Sequence, residues 1–239
     1  MNHKATLKEI EERFDNDVTR FSNLETGQLT TLDAKFNMEL ITEGVVRSNP
    51  NVQHVLDIGC GAGNYDISLL QRKSPLHITL SDLSQPMLDK AKERVDAVNF
   101  GGSCKMIKGD FRNINVADES FDVIIATATL HHLRDDADWE NTFAMLYRKL
   151  RKGGSIWIFD LIKQDSDLLQ EFIYKVRYGD YLVSLKDEAY RDHVFDYIDK
   201  EDSPRSLMYQ LDLLRKVGFS KVDVLHKNLC FASFVGVKE

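Results

Sequence analysis

Hydrophobic positions along this chain recur with two periods, and the changes from one to the other mark its elements. Leu7, Ile10, Phe14, Val18 and Phe21 form an apolar stripe at helical spacing, opened by the capping-box pair Thr6 and Glu9. The pattern predicts a helix over 5–21, a polar loop over 22–30 and a second helix over about 32–48. Short apolar runs then alternate with helical patterns. They predict strands at 53–58, 77–81, 103–108, 121–126 and 155–160, with helices at 64–72, 85–98 and 136–151. Such alternation belongs to a parallel sheet covered by helices on both faces. After Asp160 the rhythm breaks. Residues 165–200 carry two helical stretches without a strand between them, dense in Tyr, Phe and acids. Ser203 as N-cap and Pro204 at the first helical position predict a further helix ending near Gly218. Strands at 220–226 and 229–237 close the chain, and so short a link between them requires an antiparallel hairpin.

One junction in this pattern carries chemistry. Val55 to Ile58 is a short buried strand, Gly59-Cys60-Gly61-Ala62-Gly63 is the turn after it, and Ile67, Leu69 and Leu70 open a helix. Glycine permits a sharp turn and lets a ligand approach where a Cβ would collide. A strand, a glycine turn and a helix N-terminus together make a nucleotide or cofactor site at the carboxyl edge of a parallel sheet. The dinucleotide fingerprint is absent, because the run is G-x-G-x-G with Asn64 where the last glycine would stand. A P-loop is absent too, since no Gly-Lys-Ser/Thr follows. Asp82 ends the second strand at a distance from the turn that suits a carboxylate accepting from both hydroxyls of a ribose.

Val55-Leu56-Asp57-Ile58-Gly59-Cys60-Gly61-Ala62-Gly63 closely resembles motif I of the class I S-adenosylmethionine-dependent methyltransferases. The resemblance is strong over about 53–162 and holds in outline over 203–237. It implies a Rossmann-like α/β fold with a seven-stranded, mostly parallel sheet in the order 3-2-1-4-5-7-6, ending in an antiparallel hairpin. It implies S-adenosylmethionine (SAM) as cofactor, S-adenosylhomocysteine (SAH) as product, and methyl transfer to a small-molecule acceptor. Residues 1–50 then read as an N-terminal helical cap, and 51–239 as the SAM-binding domain with a lid insertion at about 163–202.

On that resemblance Asp57, Gly59, Cys60 and Gly61 face the methionine part of the cofactor, and Asp82 holds its ribose. Leu83 packs on the adenine, Asp110 meets the adenine amino group, and Phe111 lies near the ring. Thr127, Ala128 and Thr129 end the fourth strand, where small side chains leave room for a methyl between donor and acceptor. His131, in Leu130-His131-His132-Leu133, is the candidate general base, with packing at the helix entry as its alternative. Phe14, Tyr178 and Tyr181 are the candidate substrate residues, although aromatics of the insertion also suit packing onto the sheet or a homodimer contact. Amide and adenine N-methyltransferases carry an Asn/Asp-Pro-Pro-Tyr/Phe motif after the fourth strand, and Thr127-Ala128-Thr129-Leu130 disfavours that branch. A fainter resemblance is to carboxy-SAM synthase, through Phe14-Asp15 and Leu229-Cys230-Phe231-Ala232-Ser233-Phe234. The arginine expected there to hold a carboxylate maps near Leu213. A non-catalytic SAM-binding module is the remaining alternative.

Composition narrows the partners. The 239 residues have a net charge of −7 and a pI near 5.5, so no global basic field draws the chain to nucleic acid. Cys60, Cys104 and Cys230 are odd in number and far apart, which suits reduced thiols in a cytoplasmic protein. No apolar run approaches the ~20 residues of a membrane span. No tight His/Cys/Asp spacing suggests a metal, so none is expected.

Overall fold

The computed structural model describes residues 4–23 and 28–239. Part of the predicted 22–30 loop, residues 24–27, lies outside the described residues. Seven strands form one sheet in the order β3-β2-β1-β4-β5-β7-β6, the topology expected from the motif. They are β1 His54–Ile58, β2 His77–Asp82, β3 Ser103–Lys108, β4 Phe121–Thr127, β5 Leu150–Leu161, β6 Lys221–Asn228 and β7 Phe231–Val237. The first five pair in parallel, and β7 runs antiparallel to both β5 and β6. Central strands are buried on both faces. In β4, Val123 and Ile125 join one core cluster while Ile124 and Ala126 join the other.

Helices α3 (Ala34–Ser48), α4 (Asn64–Leu70) and α5 (Gln85–Asp96) contribute to one cluster, and α6 (Asp136–Lys149) and α10 (Leu207–Val217) to the other. Between β5 and α10 lie α7 (Asp167–Gln170), a π-helical segment Glu171–Tyr178, α8 (Gly179–Leu185) and α9 (Glu188–Glu201).

Three local expectations change. The single helix over 5–21 is two, α1 (Leu7–Asn16) and α2 (Val18–Ser22), because Asn16-Asp17 are weak helix formers and Asp17 leaves helical geometry at ψ 9°. The Thr6–Glu9 capping box is present, with Thr6 N donating to Glu9 Oε2 at 2.8 Å. Ser203 and Pro204 do not start α10. Ser203 N donates to His131 O at 2.7 Å, the chain bridges Lys163 at Ser206, and Ser206 caps the helix through Tyr209 N. Finally, α6 ends at Lys149 and β5 begins at once, pairing with β4 at Leu150 and again from Ser155 across an irregularity.

Candidate active site

Two cavities open at the carboxyl ends of the parallel strands. The first, about 940 Å³, is lined by Gly59, Cys60, Gly61, Asp82, Leu83, Asp110, Phe111 and Thr127 among others. It therefore gathers eight of the nine residues expected at the cofactor. The ninth, Asp57, sits buried beneath its floor, facing Asp66. Burial, together with each other's charge, raises the Asp57 carboxyl well above its usual range, and burial raises Asp66 to about 6. Two acids in one apolar enclosure hold a proton between them.

The cradle is mainly backbone. Gly59 has φ +65°, and a Cβ there would lie 2.1 Å from Thr129 Oγ1, so the first turn and the end of β4 touch only because this residue is glycine. At Gly61 (φ +51°) an added Cβ would meet nothing within 4 Å, and it would enter the cleft itself. Asp82 Oδ2 accepts from Gly61 N at 2.8 Å and Oδ1 from Ser84 N at 2.9 Å. A carboxylate offers about four acceptor directions, so both oxygens retain lone pairs for a pair of hydroxyls. Burial raises the Asp82 carboxyl above its usual range, and these backbone bonds offset only part of that rise. Leu83, Met87 and Phe111 give the cleft an apolar wall of the kind a purine requires. A diol-holding acid, backbone bordering open space and an apolar slot fit SAM.

Asp110 is less available than its neighbours. Arg112 Nε donates to it at 2.8 Å, and Arg112 Nη1 continues to Asp138 at 2.8 Å. Arg112 lines the cleft and carries no sequence signal that marks it out. Helices α1 and α2 lie over the opening, contributing Leu7, Ile10, Phe14 and Phe21. Asn64 Nδ2 donates to Phe21 O at 2.9 Å, and Ser84 Oγ to Asp15 Oδ1 at 2.6 Å, which pins them to the cofactor loops.

The second cavity, about 700 Å³, shares Phe14, Phe21, Ala128 and His132 with the first. Ala128 holds φ +50°, a strained conformation for a side-chain-bearing residue, at the junction of the two. Phe159, Tyr178, Tyr197 and Phe231 supply aromatic walls, and Arg13 and Arg20 stand at its edge. Both arginines are already paired, Arg13 with Glu201 and Arg20 with Asp17. Tyr178 lines this cavity with its hydroxyl donating to Thr30 O at 2.8 Å. Tyr181 does not line it. Its hydroxyl donates to Leu29 O at 2.7 Å, away from the lining of this cavity.

His131 is also placed differently from a free base. Nδ1 contacts Asp160 Oδ1, and Nε2 faces Asp202 Oδ1 at 3.7 Å. Asp160 is buried and accepts as well from Leu130 N at 2.8 Å and Leu161 N at 2.7 Å. Burial alone would lower the imidazole pKa, but the carboxylates of Asp160 and Asp202 outweigh it and raise it to about 9. Both ring nitrogens are thus engaged by carboxylates, an arrangement unlike the free base expected at this position. The sequence also missed the cluster His131, His132 and Asp202, since Asp202 arrives from the end of α9, some seventy residues later.

A model of the methyltransferase domain family matches residues 55–154. Over 98% of this chain and 97% of the relative, the sequence is 28% identical to a carboxy-S-adenosyl-L-methionine synthase of Nitratiruptor. It is 30% identical to phosphoethanolamine N-methyltransferase 1 of Arabidopsis thaliana over 66% of this chain, which spans about a third (32%) of that longer protein. In fold it is similar to a SAM-dependent methyltransferase structure from Thermotoga maritima, with a TM-score of 0.62, 21% identity and coverage of 98% and 100% of the two chains. No helix among the described residues is long and apolar enough to cross a membrane. With cradle, topology and relatives in agreement, residues 55–154 carry a methyltransferase domain of the S-adenosylmethionine-dependent type, and SAM is its cofactor.

Proposed function

We propose that the chain methylates a small-molecule acceptor held in the second cavity, with the cofactor in the first. The observation that carries this reading is the shared wall: Ala128 and His132 border both cavities, at the end of β4 where the small residues stand. When bound, SAM supplies an electrophilic methyl on a sulfonium. The chain's part is positioning, which in favourable cases accounts for roughly 7–11 kcal/mol of a barrier. Asp82 holds the sugar, the glycine turn accommodates the methionine part, and Asp57 lies beneath it. Phe14 and Phe21 cover the junction and exclude water, with residues 1–50 serving as a cap and about 163–202 as a lid. Phe159, Tyr178, Tyr197 and Phe231 hold an acceptor with an apolar or ring-shaped body. Because both nitrogens of His131 face carboxylates, that residue organises the cavity wall instead of taking a proton from the acceptor.

A second reading, formation of carboxy-SAM, is favoured by the match along almost the full chain to proteins of that name. The site argues against it. Leu213, where the carboxylate-holding arginine is expected, is buried in the core of α10, and the cavity's own arginines are matched to carboxylates. Thermal shift should show stabilisation by SAM and SAH and none by NAD. Mass spectrometry of co-purified ligand then separates SAM from a carboxylated derivative. A protein stabilised by neither SAM nor SAH would end both readings.

A further inference from the structure

Three ligand atoms converge on the wall of the second cavity. His132 Nδ1 lies 3.2 Å from Asp202 Oδ1, His131 Nε2 lies 3.7 Å from the same oxygen, and all three are within 4.8 Å of one another. The longer contact is out of hydrogen-bond range, and the shorter, although close enough for His132 to favour the ionised Asp202, is too poorly aligned to satisfy His132 Nδ1. A cation set to one side of these atoms, off the lines that join them, would face all three. Metal–ligand bonds of about 2.1 Å would span the two contacts to Asp202 at angles of about 100° and about 120°, within the range of four- to six-coordinate sites.

The surroundings are those a histidine ligand needs. Asp160 accepts from His131 Nδ1, which fixes the ring and turns Nε2 toward Asp202, where a bound cation would take the place of the Nε2 proton. Asp160 cannot swing away, because Leu130 N, His131 N and Leu161 N all donate to it. Arg13, the cation on the same cavity whose charge reaches Asp202, is committed to Glu201.

We propose that His131, His132 and Asp202 bind a divalent first-row transition cation of the Zn²⁺ type. Two imidazoles and one carboxylate suit such borderline cations over Mg²⁺ or Ca²⁺. Three protein ligands with an open position facing a cavity are the pattern of a reactive site, not of a structural one. An oxygen or nitrogen of the acceptor would complete the coordination, and that last point alone rests on the acceptor reading given above.

Tag-free protein, stripped with a chelator and titrated with Co²⁺, should take up one equivalent per chain. It should develop the visible absorption of low-coordinate Co²⁺ and melt at a higher temperature. Zn²⁺ should displace the Co²⁺ and bleach the band. Asp202→Asn and His132→Gln should each weaken uptake by roughly tenfold or more, and Asp160→Asn by about 10–100-fold through its hold on His131. His226→Gln, which removes an imidazole paired with Asp33 elsewhere, should change nothing. Uptake far below one equivalent by the wild type at micromolar Co²⁺ and Zn²⁺ would overturn the site. So would uptake unaffected by both Asp202→Asn and His132→Gln. SAH affinity measured on the same stripped protein reports on the methyltransferase reading separately, so retained SAH binding without metal uptake removes the cation alone.

Discussion

Ala128 and His132 face two cavities of unlike construction. On the cofactor side the wall is chiefly backbone, supplied by turns that leave β1, β2, β3 and β4 at the same edge of one sheet. On the acceptor side it is chiefly side chain, contributed by α1, α2, the π-helical segment, α9 and β7. The first surface is fixed by strand pairing that the whole fold requires. The second exists only because two helical segments, far apart in sequence, dock on each other over the strand ends. Ala5 N donates to Lys200 O at 2.9 Å, and Arg13 Nε to Glu201 Oε1 at 2.7 Å. If the acceptor binds in the second cavity as proposed, a rigid donor site beside a wall assembled by docking would let acceptor preference change while the cofactor stays the same.

The largest effect should come from Gly59→Ala. The new Cβ would lie 2.1 Å from Thr129 Oγ1 at a φ of +65°. Left-handed strain of about 1–2 kcal/mol and overpacking of about 1–3 kcal/mol would act together, so melting should fall steeply. Gly61→Ala has the same sign of φ but no clash. It should fold with a small loss and yet fail to bind SAH. If both variants lose SAH while melting like the wild type, the backbone account of Gly59 is wrong.

Next in size is Asp82→Ala. Charge-assisted hydrogen bonds contribute roughly 1.5–3 kcal/mol, so SAH should bind about ten- to a hundredfold more weakly by calorimetry. The second cavity should be untouched, because Asp82 does not line it. A variant with unchanged SAH affinity would remove the ribose role.

The difference between the two sides also explains what was legible in the sequence. Asp82 ends a strand, and Gly59 and Asp110 follow one within a few residues, so local pattern places them at one sheet edge once the strand order is granted. Asp57 was legible for the same reason, although it proves to lie beneath the floor. The acceptor wall has no such signal. Nothing near Asp202 in the sequence points to His131, and nothing near Tyr197 points to Phe14. Pro204 reads locally as a helix start, yet the Lys163–Ser206 bridge, a long-range contact, delays α10 to Leu207. Tyr181 lies on α8, about one turn beyond Tyr178 of the π-helical segment, and does not line the cavity.

Smaller again is Arg13→Ala, which tests the docked wall. The guanidinium lies between Phe14 (4.2 Å) and Tyr197 (5.5 Å) while paired with Glu201, whose side chain is 9% exposed. Removing it strands a largely buried carboxylate at a cost of about 1–3 kcal/mol. Limited proteolysis should reach the α1–α2 segment sooner, and acceptor KM should rise more than SAH affinity falls. Equal losses on both sides would mean that the two cavities are not independent.

The smallest effect concerns the acid pair under the cofactor floor, and its sign is fixed by where the proton sits. Burial raises the Asp66 carboxyl to about 6, against about 3.9 for an unfolded aspartate. The native chain therefore holds this proton more tightly than the unfolded one. Its contribution to stability is complete below about pH 4 and is lost as the pH rises through 6. Above that, ionisation of Asp66 places a negative charge in a buried enclosure, beside an Asp57 carboxyl that this charge helps to keep protonated. Asp66→Asn keeps the shape, supplies a permanent donor to Asp57 and removes the loss. The variant should thus match the wild type near pH 4 and exceed it by roughly 1–2 kcal/mol near pH 8, a gain reduced from the full shift because the pair shares one proton. Parallel melting curves across that window would show that the floor of the cofactor cleft carries no shared proton. The rigidity assigned to that side would then rest on the strand-end turns alone.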